Sequence, residues 1–169
     1  AQRLLYYLDQ LKEQVEECGL VISDCGKQVW EYELGNNAYK DTSAKVFEKG
    51  DFMAPFASGS AGYDAMIVCP CTMGTMGRIA GGQANDLITR AADVMLKERK
   101  KLILVIREMP YNLIHLENMR TITLSGGIIC PASPSFYSKP DNETAIVDTV
   151  VIKVLQLAGF TVDAFKWGK

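Results

Sequence analysis

Residues 69 to 75 read CPCTMGT, two cysteines around a proline running straight into a Thr-Met-Gly-Thr turn. Three chemistries use such residues. A metal site needs three or four ligands, and the single histidine, His115, added to Cys69 and Cys71 leaves that set incomplete, so no metal is expected. A dithiol redox centre favours a two-residue spacer and an accessible thiolate, whereas here one proline separates the cysteines and Cys69 closes an apolar run. The third chemistry is a strand-to-helix turn. In it the hydroxyls of Thr72 and Thr75 and the backbone N–H groups around Gly74 face an anion or a heteroaromatic ring, helped by the helix N-terminus. From these residues alone, that cradle and an ordinary tight turn both stand.

Other polar residues sit where chemistry is possible. Arg107-Glu108 follows the apolar run LILVI directly, and a cation beside a carboxylate there can hold a phosphate and move a proton, or simply form a strand-end ion pair. Arg90, Asp93 and Lys97 fall at i, i+3 and i+7 of one segment, a polar stripe that is either a solvated helix face or a row of charges aimed at a ligand. His115, flanked by apolar residues in NLIHLENM, reads as a hydrogen-bonded structural histidine. Phe52, Phe136, Tyr137 and Trp167 lie in loops or near a terminus.

The elements that must position these residues follow from periodicity. AQRLLYYLDQLKEQVEE opens the chain as an amphipathic helix ended by Cys18-Gly19. The spacing then predicts a short strand at LVIS (20–23), a helix from Lys27 to Leu34 stopped by Gly35, and a long loop over 35–63. AMIVC (65–69) reads as a strand buried on both faces, followed by a helix over Met73–Ile79 and an amphipathic helix over 85–100 capped by Asn85 or Asp86. KLILVIRE (101–108) is the next buried strand. A helix over Asn112–Leu124, a strand GIIC (127–130) and a last helix over 143–159 complete the pattern.

Strand and helix alternate and the strands lack polar alternation, which predicts an α/β domain, a parallel sheet with helices on both faces. Ligands of such sheets bind beyond the carboxyl ends of the strands. That singles out Ser23, the Cys69–Thr75 turn, Arg107-Glu108 and the 131–137 segment.

Bulk properties narrow the partners. The chain has 169 residues, 48% hydrophobic and 22% charged, with a net charge of -2; this is the size of one domain with a substantial core. No basic block occurs, so nucleic acid is not expected as a partner. Five scattered cysteines, an odd number without a Cys-x-x-Cys pair, favour reduced thiols and a cytoplasmic location. No apolar run approaches the roughly 20 residues that cross a bilayer.

Taken jointly, ASGS (57–60), CPCTMGT (69–75), NDLITRAADVMLKERKKLILVIREMP (85–110), IHLENM (114–119) and FY (136–137) resemble the UbiX-type flavin prenyltransferases. The resemblance spans nearly the whole chain. It implies a flavodoxin-like or Rossmann-like single flavoprotein domain over 1–169, assembled as a homododecamer. The implied reaction moves a dimethylallyl group from dimethylallyl phosphate to N5 and C6 of reduced FMN, giving the prenylated flavin used by a UbiD-type decarboxylase.

By the same resemblance, Ser23, Thr72, Met73, Gly74, Thr75 and Arg107 would contact FMN. Arg90, Lys97, Tyr137 and Lys153 would surround the substrate phosphate, and Glu108 would act as acid/base, with Lys97 as a proton donor. Phe52 and Trp167 would offer π-faces to the prenyl cation, Ser58 would lie near flavin N5, and Glu33 matches an acidic site position. Lys153 stands where many family members carry Arg, keeping the charge without the bidentate fork. Family members also open with a strand and a Gly-Ala-Ser-Gly-Ala loop that grips the FMN phosphate, and the expectation is that both are missing upstream of Ala1. Two rival functions share this fold: a flavin-dependent cysteine decarboxylase, whose early catalytic His and Pro-x-Met-Asn motif are not found here, and a non-catalytic FMN-binding module.

Overall fold

In the computed structural model, which describes residues 1–165 and Gly168, five parallel strands and six helices alternate. The opening helix α1 (Gln2–Gln10) is followed by β1 (Gly19–Val21), α2 (Asp24–Leu34) and β2 (Lys45–Phe47). The second half holds β3 (Ala65–Cys71), α3 (Met73–Ala80), α4 (Leu87–Lys97), β4 (Lys101–Ile106), α5 (Leu113–Leu124), β5 (Ile128–Pro131) and α6 (Glu143–Ala158). β3, β4 and β5 form one parallel sheet in that order, and β1 pairs with β2 in another.

β4 is the middle strand of its sheet, and Leu102 to Ile106 are all buried. Alternate residues feed two cores, as the two-residue period of a strand demands. Leu102, Leu104 and Ile106 pack with Met76, Ile79, Ala92, Met95 and Ile122 of α3, α4 and α5. Ile103 and Val105 pack with Leu4 of α1 and Val151, Val154 and Leu155 of α6. Each such aliphatic side chain stabilises the fold by about 1.5–3 kcal/mol on burial. On the second face Arg3 of α1 holds Asp148 of α6 through two bonds of 2.8 and 2.6 Å, and the Tyr7 hydroxyl donates to the same carboxylate at 3.1 Å.

The structure departs from the periodicity in three places. α1 ends at Gln10 rather than at Cys18, with a 3-10 turn over Lys12–Gln14. The Gln14 amide instead holds the main chain of Thr161 through bonds of 3.0 and 2.9 Å, pinning the segment after α6. β2 lies inside the region expected to be loop; it is three residues long with Lys45 and Val46 exposed, too short for a periodic signal. β3 was expected to be buried on both faces, yet residues 65–69 are only half-buried. Among the described residues its only paired edge is the one against β4, so one flank of the strand stays open. Pro70 coincides with a register shift between Val68 and Cys71, where a residue without an N–H interrupts the ladder.

Candidate active site at the carboxyl ends of the strands

Register brings the ends of the second sheet level: Cys71 is opposite Ile106, and Ile106 is opposite Pro131. Thr72, Arg107 and Ala132 therefore leave their strands side by side. The other parallel pair reaches the same end of the molecule. Leu87 N–H, at the start of α4, donates to the Lys49 carbonyl just past β2 at 2.7 Å, and the Lys49 ammonium pairs with Asp24 in the first turn of α2. Ser23, which precedes Asp24, thus sits on this rim.

The rim is a collection of helix N-termini, each capped by its own sequence. Ser23 Oγ accepts from Gly26 N–H at 3.1 Å, Thr72 Oγ1 from Thr75 N–H at 3.1 Å, and Asp86 Oδ1 from Thr89 N–H at 2.8 Å. Asn112 and Asn142 do the same for His115 and Ala145, both at 2.9 Å. Caps of this kind satisfy N–H groups that the helix leaves orphaned. The aligned dipoles place partial positive charge along the rim, which suits an anionic or electron-rich ligand.

CPCTMGT accordingly forms the end of β3, the cap at Thr72 and the first turn of α3. Cys71 is 2% exposed, and burial pushes its thiol up to about 12, so it stays protonated at neutral pH. Gly74 is exposed and Thr75 is half-buried. Arg107 and Glu108 are both exposed on the rim. The Glu108 carboxylate accepts from Met109 N–H at 3.3 Å, and among the described residues the two charges form no ion pair with each other. His115 belongs to a capping box with Asn112, its ring nitrogen Nδ1 accepting from the Asn112 N–H at 3.4 Å. Phe52 and Tyr137 are exposed on segments that follow β2 and β5.

The α4 stripe lies elsewhere. Arg90 Nε donates to the Ala57 carbonyl at 3.0 Å and its Nη1 is 3.6 Å from Asp93. Lys97, the last residue of α4, pairs with Glu98. It borders an open concavity of about 440 Å³ that runs along α4 past Asp93 to Thr89 and is shared with Arg99, Gln83 and the C-terminal ends of α3 and α5. Lys97 lies just before the start of β4 and Glu108 just past its end, and the six residues of that strand span roughly 20 Å at 3.3 Å per residue. Lys97 and Glu108 therefore do not meet within one chain.

The remaining residues scatter. Ser58 is exposed beside the middle of α4, 3.0 Å from Ser60 Oγ. Glu33 is exposed in the last turn of α2, at the end opposite Ser23. Lys153 is exposed on α6, close enough to oppose the upward push that burial and Cys69 give the Cys130 thiol. Trp167 lies outside the described residues. The structure also brings in Arg78, which the sequence reading passed over: its Nη2 donates to Thr75 Oγ1 at 3.3 Å. Its spacing of three from Thr75 in a helix was the available signal. Among the described residues, no group of three or more His, Cys, Asp or Glu side chains is placed to hold a metal ion.

A fold of this kind with a built rim defines a flavoprotein, and comparison agrees: the Flavoprotein family model matches residues 6–158. The flavin prenyltransferase UbiX of Methanocaldococcus jannaschii is 43% identical over 171 residues, covering 99% of this chain and 91% of that protein. A dodecameric FMN-dependent UbiX-like decarboxylase from Escherichia coli O157:H7 superposes with a TM-score of 0.90 at 38% identity, covering 99% of this chain and 93% of that one. A UbiX structure in complex with FMN and dimethylallyl pyrophosphate gives 0.87 at 35% identity, covering 98% and 93%. An FMN-dependent cysteine decarboxylase of thioviridamide biosynthesis, at 17% identity and 0.60, shares the fold alone. The chain belongs to the UbiX flavin prenyltransferase family.

Proposed function

We propose that the protein transfers a dimethylallyl group from dimethylallyl phosphate to reduced FMN, forming prenylated FMN that a UbiD-type decarboxylase consumes. The observation that carries this reading is the rim itself, where the Thr72 turn, Arg107 and Glu108 leave register-matched strands among capped helix N-termini. Support comes from the UbiX relative solved with FMN and dimethylallyl pyrophosphate.

FMN fits this rim: hydroxyls, backbone N–H groups and a guanidinium are the donors its carbonyls, ring nitrogens and phosphate accept from, and Ser23, Thr72, Met73, Gly74, Thr75 and Arg107 would hold it. When bound and reduced, FMN supplies the nucleophilic N5 and C6 atoms. The chain's own residues deal with the leaving group and the protons. Breaking an allylic C–O bond builds negative charge on phosphate, which the cations Arg90, Lys97 and Lys153 offset and to which the Tyr137 hydroxyl donates. Lys97 gives a proton to the departing oxygen, and Glu108, exposed on the rim, takes and returns a proton at the acceptor ring. Phe52 offers π-density to the allylic cation, the role the resemblance also implies for Trp167.

Because Lys97 and Glu108 sit at opposite ends of one subunit, this site draws them from different copies of a homo-oligomer, a dodecamer as in the Escherichia coli relative. The outer side of α5 suits such packing: Leu113 and Ile114 are each 71% exposed and Leu116 49%. Among the described residues no helix is long and apolar enough to cross a membrane. Anaerobic incubation with FMN, a reductant and dimethylallyl phosphate, followed by mass spectrometry, should give a flavin heavier by one prenyl group; an unchanged flavin mass rejects the assignment.

A further inference from the structure

Arg78 stands in the last turn of α3, where any cation complements the helix dipole. Its contacts go further than that. Nη2 donates to Thr75 Oγ1 at 3.3 Å and lies 3.9 Å from Asp86 Oδ2, while Nε is buried with no partner among the described residues. The Thr72 hydroxyl also donates to Thr75 Oγ1 at 3.1 Å, and Thr72 Oγ1 accepts from the Thr75 N–H at 3.1 Å.

The protons of this cluster can be followed one by one. A guanidinium and a backbone N–H only donate, whereas a hydroxyl donates once and accepts twice. The two threonine hydroxyls carry one proton each, and one of these is used in the bond they share. The Thr72 proton makes that bond, and the Thr75 proton has no acceptor within the turn. Thr75 Oγ1, its two acceptor sites filled by Arg78 Nη2 and the Thr72 hydroxyl, thus has only its own proton left to offer, outward at the rim. A charged donor at the head of such a chain polarises the bonds that follow.

We infer that Arg78 is a positioning residue that commits the Thr75 hydroxyl to donate to an electron-rich atom of the bound flavin, and so favours the reduced flavin over the oxidised one. This rests on the FMN assignment above. The reduced ring carries the added electron density and gains more from a fixed donor than the oxidised ring does. Asp86, held by its own capping contacts to Thr89, keeps the guanidinium in place from the other side.

The test is the FMN midpoint potential in the full-length protein and in Arg78→Met, Arg78→Lys, Thr75→Val and the double variant Thr75→Val/Arg78→Met. Arg78→Met is expected to lose about tenfold of the preference for reduced flavin, ~30 mV downward for a two-electron couple. Arg78→Lys retains most of the preference, Thr75→Val loses a similar amount, and Arg78→Met adds nothing in the Thr75→Val background. An unmoved potential in Arg78→Met, or equal shifts in both backgrounds, overturns the inference. If Arg78→Met does not fold by circular dichroism, Arg78→Gln takes its place in both backgrounds, and the same outcomes decide. Native protein that binds no FMN fails the flavin assignment itself and takes the inference with it; native binding with an unshifted variant fails only the inference.

Discussion

The two ends of α4 are built on different principles. At its start, main-chain groups do the work: capped helix N-termini, the Thr72 turn and the level strand ends form a surface fixed by short hydrogen bonds. At its far end, Lys97 and Arg99 reach over an open concavity on long side chains, and Lys97 is held there by its pair with Glu98. A planar ring needs the first kind of surface and a leaving phosphate needs the second. One subunit offers both, back to back, so the proposed chemistry requires one copy's rim to face another copy's far end.

The comparison breaks most sharply on complementation. Lys97→Ala and Glu108→Gln are each expected to slow prenyl transfer by about 10²-fold or more, the scale of a lost acid–base or charge-stabilising group, with FMN binding near native in Glu108→Gln. Co-assembled in one oligomer, the two variants recover activity, because some interfaces then join an intact rim to an intact far end. Mixed oligomers as inactive as the parents would show that the two residues do not serve one shared site. Next in size is assembly itself. Ile114→Glu places a charge on the exposed apolar side of α5 and should reduce the oligomer to smaller species in light scattering, with transfer lost alongside; native mass and activity in this variant remove α5 from the interface.

Much of the rim was legible in the sequence, and the far end was not. Thr72, Asp86 and Asn112 stand where side-chain acceptors precede apolar periodicity, so helix starts could be read from local chemistry. Arg107-Glu108 was placed by the abrupt end of a run that β4 buries completely. What failed was long-range. β2 is too short to be periodic, and its existence depends on pairing with β1. The half-exposure of β3 depends on which edges pair, which composition of the strand does not encode. The stripe Arg90, Asp93, Lys97 was read correctly as one helix face, but nothing in its spacing tells which end of the domain the last residue reaches. Arg78 was passed over because its partner Thr75 had already been claimed by the turn.

A smaller effect sharpens the contrast in rigidity. Asp86→Ala removes the acceptor of Thr89 N–H and Thr89 Oγ1 at the rim end of α4 and should lower stability by about 1 kcal/mol, the cost of a lost cap. Glu98→Ala at the other end removes only an exposed pair and should stay within about 0.5 kcal/mol of native. Urea unfolding of both variants measures the difference; equal losses would mean that the two ends are equally fixed.

The mildest test concerns the residue on which the turn is hung. Burial raises the Cys71 thiol from an ordinary 9.0 to about 12 in the folded chain, so on raising the pH the unfolded chain gives up this proton first. The sign follows from linkage: stability is intact below pH 9 and declines between about pH 9 and 12, where the unfolded state gains thiolate that the folded state resists. The Cys130 and Cys18 thiols, raised by burial in the same direction, add to the decline. Cys71→Ala, although less stable at neutral pH for want of packing, should lose less stability than the native protein when moved from below pH 9 into that window. An identical alkaline loss in both proteins would place the Cys71 thiol in contact with water. In that case iodoacetamide would modify it as readily as the exposed Cys25, and the strand end would be looser than the Thr72 cap requires.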